Sequence, residues 1–230
     1  FKKKRQEDEV IAVKAAFRKE HLHPERLMKS LFNNDNYVKW KVDAGKLMSY
    51  LFELAAITQS HDTDLDLYSL FTKEECYDLW SCNNLYWYLT HACSPVTDGL
   101  MPYREADLLR NILDRADAAL KEGKNQATLR FGHESCLLPL VALLELNHYG
   151  ESYPDVEKLS EQWRAYDIFP MASNVQFVFF HKKGSNDVLV KVLLNEKETK
   201  LPVKTDVAPY YHWKDVESYY REKLDKYQHI

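Results

Sequence analysis

No stretch of these 230 residues approaches the roughly 18 consecutive apolar residues of a membrane-spanning helix. A helical membrane protein is therefore not expected. No apolar signal core opens the chain either, because Phe1-Lys2-Lys3-Lys4-Arg5-Gln6-Glu7-Asp8-Glu9 is charged. An initiator Met is also missing, so the natural start, with any targeting signal, is expected upstream. Cysteine is sparse. Cys76, Cys82, Cys93 and Cys136 form no CxxC pair, which argues against a zinc ribbon or a thioredoxin-type site. An even count permits disulfides without requiring them, so the redox compartment stays open. The six glycines make neither a phosphate-binding loop nor a dinucleotide fingerprint. Ser135 does not sit in a G-x-S-x-G elbow. There is no excess of positive charge: the formal net charge is -4, which argues against general nucleic-acid binding. A local basic cleft on an acidic protein can still take an anion. The densest basic run, Lys2 to Arg5, reads as a solvated helix start or a frayed terminus.

The composition is that of a soluble globular chain, with 45% hydrophobic and 29% charged residues, enough for one large domain or two small ones. The first ~125 residues read as mostly helical. Lys2 to Glu20 has loosely helical apolar spacing. A helix from Asp43 to Gln59 puts Leu47, Leu51, Leu54, Ala55 and Thr58 on one face, and residues 60–64 form a polar loop. Thr72-Lys73-Glu74-Glu75 is a capping box, in which the Thr72 hydroxyl and the Glu75 carboxylate each serve the other's backbone N–H. The helix it opens runs to about His91. Arg104 to Lys121 is another, with Gly123 as its natural stop. The neighbouring aromatics Tyr50, Phe52, Trp80, Tyr86, Trp87 and Tyr88 read as helical core.

The texture changes after Gly123. Ala127-Thr128-Leu129-Arg130-Phe131 reads as a short strand broken by Gly132, and Cys136 to Leu146 as an apolar helix. Asn174 to His181 and Val188 to Asn195 read as a hairpin around residues 182–187. Trp213 to Tyr227 reads as a closing helix.

Chemistry is best placed where the strand feeds the helix, across Gly132-His133-Glu134-Ser135. The first N–H groups of a helix lack partners and carry partial positive charge, which favours anions such as phosphate. His133 can donate to a phosphoryl oxygen. Glu134 can protonate a leaving oxygen. Arg130 can share developing negative charge, and Asn174 is a further candidate for the substrate pocket. A metal is not expected. His133 and Cys136 share a helical spacing but find no third ligand, and His21-x-His23 reads as an exposed loop pair.

The run Leu129-Arg130-Phe131-Gly132-His133-Glu134-Ser135-Cys136-Leu137-Leu138-Pro139-Leu140 resembles the second signature of clade-2 histidine acid phosphatases. In these a strand enters His-Asp, or His-Ala-Glu in the inositol polyphosphate (phytase-like) branch, and a Leu-Leu-Pro-Leu helix follows. The Phe71 to Trp80 segment with Asn84, Trp87 and Tyr88 is similar to the helical cap of that branch, as are Leu108-Leu109 and Ala116-Asp117. Met171 to Gln176 and Val190 to Pro202 look like strands of its central sheet. The resemblance implies an α/β chain: the C-terminal half of a histidine phosphatase-like three-layer α/β/α domain (126–230) with a mainly helical cap region (1–125). It implies a phosphomonoesterase of inositol polyphosphates or similar esters, working through phosphohistidine without metal or other cofactor. His133 would hold the phosphoryl group and Glu134 would be the acid. The expected partners are an inositol phosphate-like molecule and the N-terminal segment of the same protein, with no nucleic acid and no membrane. The resemblance also implies a secreted or periplasmic location.

Two departures qualify the resemblance. No Arg-His-Gly occurs in these residues, so the nucleophile would lie in a segment outside them. In the inositol polyphosphate branch the acid stands two residues after His, where this chain has Ser135. Glu134 stands in the His-Asp position, an offset that turns a side chain by about 100° on a helix. The alternative is a non-catalytic relative that keeps the fold and binds phosphate or serves a structural role.

Overall fold

The computed structural model describes residues 3–124 and 126–227. Phe1 and Lys2, part of the expected first helix and basic run, lie outside the described residues, as does Asn125. The chain divides into two compact units: Asp8–Tyr86, and the remaining described residues from Trp87 onward together with residues 3–7. The division falls inside one helix, whereas the change in sequence texture lies after Gly123.

The Asp8–Tyr86 unit is entirely helical. It holds α1 (Asp8–His21), α2 (Glu25–Leu31), α3 (Asp35–Lys41), α4 (Ala44–Ile57) and the start of α5 (Lys73–His91). The helices α2 and α3 are not visible in the periodicity, because seven residues give barely two turns to read. Asn34 caps α3 by accepting from the Tyr37 N–H at 3.0 Å, and Asp43 caps α4 by accepting from the Lys46 N–H at 3.0 Å. Leu27, Met28, Met48 and Leu79 make the buried centre, with Leu47, Leu51, Phe52 and Phe71 packed against it. Leu54, read on one face of α4 with Leu47 and Leu51, is half exposed. Tyr50 and Tyr86, expected in the core, are exposed with Lys46 and Lys14 over their rings.

The capping box of α5 forms in full. The Glu75 N–H donates to Thr72 Oγ1 at 3.2 Å, and the Thr72 N–H donates to Glu75 Oε2 at 2.9 Å. The same carboxylate accepts two bonds from Arg26 of α2, a paired fork geometry that fixes both side chains.

In the second unit, α6 (Ala106–Glu122) follows the 3-10 turn Met101–Glu105 and ends at Gly123, whose φ of 63° is the left-handed stop expected of glycine. Then come α7 (Glu134–Leu143), α8 (Leu159–Gln162), α9 (Ala165–Ile168), β1 (Val175–His181), β2 (Val188–Leu194), β3 (Lys197–Glu198), β4 (Tyr211–His212) and α10 (Trp213–Tyr227). Strands β1 and β2 pair antiparallel from Val175↔Leu194 to His181↔Val188. The other edge of β2 takes β3 at Leu193–Leu194 and β4 at Leu189–Val190. The protein is thus predominantly helical, with a sheet and flanking helices in this unit.

The expected strand at 127–131 is not formed. The segment is irregular and exposed, and among the described residues it pairs with no strand. Gln126 Nε2 donates to the Ala119 carbonyl and Arg130 Nη2 to Asn111 Oδ1. These anchors lie about 12 Å apart along α6 and about 13 Å apart along an extended chain, so the segment runs back beside that helix. Its β-type sequence has no partner strand among the described residues.

Helix α7 begins two residues before the expected Cys136 and ends three before Leu146. From Leu138 to Leu144 it is buried, each large side chain contributing about 1.5–3 kcal/mol. Its last carbonyls are held by α10. Lys223 Nζ donates to the Leu143 carbonyl at 2.7 Å and Tyr220 OH to the Leu144 carbonyl at 2.8 Å. A cation there also answers the negative end of the helix. Glu145 pairs with Lys223 at 3.1 Å and accepts from Tyr219 OH. On its other flank α10 reaches α6, where Arg221 bonds both Asp114 and Asp117 at 2.9 Å.

Candidate active site

His133 is the N-cap of α7, with extended backbone (φ -121°, ψ 164°) and no side-chain cap bond. Its carbonyl accepts from the Cys136 and Leu137 N–H groups at 2.9 and 3.0 Å. The first-turn amides consequently receive no side-chain acceptor from the cap residue. Asp, Asn, Ser or Thr at this position would fill that place, and His leaves it to solvent or a ligand. Glu134 is the first helical residue. Both side chains are exposed, and neither is consumed by a hydrogen bond among the described residues. Pro139, one turn on, has no N–H to give the Ser135 carbonyl.

The other two expected site residues are placed differently. Arg130, three residues upstream, is exposed, and its guanidinium is turned to Asn111 on α6 at 2.9 Å. Asn174 precedes β1 in a separate polar corner. Its side-chain N–H groups donate to Glu196 Oε1 at 2.8 Å and to the Ala172 carbonyl at 3.2 Å, and its Oδ1 accepts from Gln176 at 2.9 Å. That network supports the tight β2–β3 turn, where Asn195 and Glu196 both have positive φ. Among the described residues no hydrogen bond or ion pair joins Arg130, His133, Glu134 and Asn174 to one another. The structure keeps His133 and Glu134 side by side, and it occupies the Asn174 amide elsewhere.

A cavity of about 270 Å³ does form, but at the far end of α7, lined by residues including Cys93, Tyr103, Leu143, Glu145 and Lys223. His91 is not a second candidate for acid–base work. Burial, then Arg5 and Arg104, push its pKa down to about 3, and the ring packs on Trp87 with Thr90 Oγ1 at 2.8 Å. Among the described residues no group of three His, Cys, Asp or Glu side chains is placed to hold a metal ion, and no helix is long and apolar enough to cross a membrane. Sequence reading missed the cluster of His212 with Asp187 and Asp206. Its members are 25 and 6 residues apart along the chain, and no local pattern announces them.

The family model for the histidine phosphatase superfamily (branch 2) matches residues 3–195. Multiple inositol polyphosphate phosphatase 1 of Homo sapiens is 28% identical over 134 residues, covering 53% of this chain and 27% of that protein. Two crystal structures of the Bifidobacterium longum multiple inositol polyphosphate phosphatase share the fold. The complex with inositol hexasulfate has a TM-score of 0.62 at 22% identity, covering 77% of this chain and 38% of that one. The complex with phosphate has a TM-score of 0.63 at 21% identity, covering 80% and 40%. The chain therefore spans well under half the length of these relatives. The sheet with flanking helices and the helical unit fit the α/β/α domain with helical cap expected from the resemblance. With the family model spanning most of its length, the chain belongs to the histidine phosphatase superfamily, branch 2.

Proposed function

We propose that this protein is part of a phosphomonoesterase acting on inositol polyphosphates or closely similar polyanions, with the site at the N-terminus of α7. The observation that carries this reading is the exposed His133–Glu134 pair, free of side-chain bonds, on an uncapped helix start, in a chain of this family. His133 holds the phosphoryl oxygens together with the first-turn amides, and Glu134 gives its proton to the leaving alcohol. Arg130 joins them by exchanging Asn111 for phosphate. The nucleophile is a histidine carried on a segment of the same protein outside these residues. That segment also gives residues 127–131 the strand neighbour they lack, covering Leu129 and Phe131, which are now 75% and 94% exposed.

The absence of Arg-His-Gly and the one-residue shift of the acid favour a second reading, a phosphate-binding relative without turnover. One experiment separates the two: phosphate release from inositol hexakisphosphate by the protein carrying its N-terminal segment. Glu134→Gln is expected to lower turnover by about 10²-fold or more while inhibition by inorganic phosphate is kept. Unchanged turnover removes Glu134 from the mechanism. Wild-type protein that binds phosphate yet never releases it from the ester selects the second reading.

A further inference from the structure

The β4 residue His212 is held by both ring nitrogens. Nδ1 lies 3.0 Å from each carboxylate oxygen of Asp187, and Nε2 lies 2.9 Å from Asp206 Oδ1. Asp187 ends the β1–β2 hairpin loop. Asp206 belongs to the connection between β3 and β4. The imidazole therefore joins two loops that are otherwise organised separately. In the hairpin loop the Asp187 N–H donates to Ser185 Oγ. In the connection Thr205 Oγ1 donates to the Tyr210 carbonyl and accepts from the Val207 N–H.

Elementary hydrogen-bond chemistry fixes the charge state this arrangement needs. Ionised carboxylates only accept. A neutral imidazole has one N–H and one lone pair, whereas the imidazolium has two N–H donors. Only the charged ring satisfies both neighbours. On losing a proton it must set a lone pair against one carboxylate about 3 Å away. Nδ1 faces two oxygens of Asp187, whose side chain is 52% exposed, and Nε2 faces one oxygen of Asp206, which is 83% exposed. The Asp206 contact is the weaker and the better hydrated, so it is the one that opens.

We propose that His212 is a pH-operated latch that fastens the β3–β4 connection to the β1–β2 hairpin when protonated and releases the Asp206 side when neutral. No other charged or titratable side chain of the surrounding elements bonds the ring among the described residues. In the hairpin these are Lys182, Lys183 and His181, whose Nε2 lies 2.8 Å from the Ser185 carbonyl; in β3 and the connection they are Lys197, Glu198, Lys200 and Lys204, at the start of α10 Lys214 and Asp215, and on β2 Lys191. Lys191 is engaged by Glu198 at 3.0 Å and lies over the Tyr210 ring. The bonds to Asp187 and then to Asp206 raise the His212 pKa to about 8, and the bond to His212 lowers that of Asp206. The sign follows. The latch is fully closed below the ordinary His value of 6.5, loosens as pH rises through about 8, and opens again in acid only below the depressed pKa of Asp206.

The test is an NMR titration of the His212 ring in the wild-type chain, followed together with the backbone amides. The ring is expected to titrate near pH 8. The amides of 205–207 should shift with the same midpoint while those of 185–187 change little, and Asp206→Asn should lower the midpoint by about half a unit or more. A wild-type midpoint at or below 6.5, or amides of 205–207 that stay silent through the ring's transition, overturns the latch. Both of those readings come from wild-type protein, so a poorly folding variant does not blunt them.

Discussion

Two helix starts in this chain are built on opposite plans. At α5, Thr72 and Glu75 cap one another and Arg26 closes the carboxylate from outside, so backbone donors and side-chain charge are all used within the protein. At α7, the cap residue is a histidine that makes no side-chain bond, and the carboxyl beside it is equally unoccupied. The first plan secures a fold. The second leaves anion-attracting groups exposed, which weakens the helix start by the worth of a cap and keeps it available for a ligand.

The contrast can be broken from either side. Glu75→Ala removes the reciprocal cap and leaves Arg26 only the Leu70 carbonyl, and should destabilise the Asp8–Tyr86 helices by about 2 kcal/mol in urea unfolding. The Glu75 effect should also depend on pH. The bond from Arg26, and that from the Thr72 N–H, hold its carboxyl below the ordinary value of 4.5. Its contribution is present above that value and fades as pH falls through the depressed one. Thr72→Ala removes half of the box and should cost about 1 kcal/mol by the same measurement. His133→Ser should act the other way. A serine supplies α7 with the missing cap and is expected to raise stability by about 0.5 kcal/mol, while phosphate binding followed by calorimetry falls below detection. A serine variant that is both less stable and still binds phosphate would mean that the open helix start has nothing to do with anions.

The parts of this molecule that the sequence makes legible are those whose physics is local. The Thr72 box, the Gly123 stop, the hairpin around 182–187 and the Trp213–Tyr227 helix each depend on residues within a few positions of one another. So does the adjacency of His133 and Glu134. What escaped depends on distant partners. Residues 127–131 have strand composition, but a strand needs a partner strand, and among the described residues they pair with none. Asn174 has a side chain suited to a pocket, and the β2–β3 turn at Asn195 and Glu196 claims it first. The helices α2 and α3 are too short for periodicity: α2 rests on the core it enters through Leu27 and Met28, and α3 on its Asn34 cap. The His212 latch exists only after four strands have folded.

Pro139 has a mechanical consequence for the end of α7 that faces solvent. The far end is bolted down by Tyr220 and Lys223, and everything from Leu138 onward is packed. The proline deletes the rung that would tie the Ser135 carbonyl to the turn above it. The exposed first turn is therefore joined to the packed remainder of the rod by one backbone rung fewer than a regular helix has.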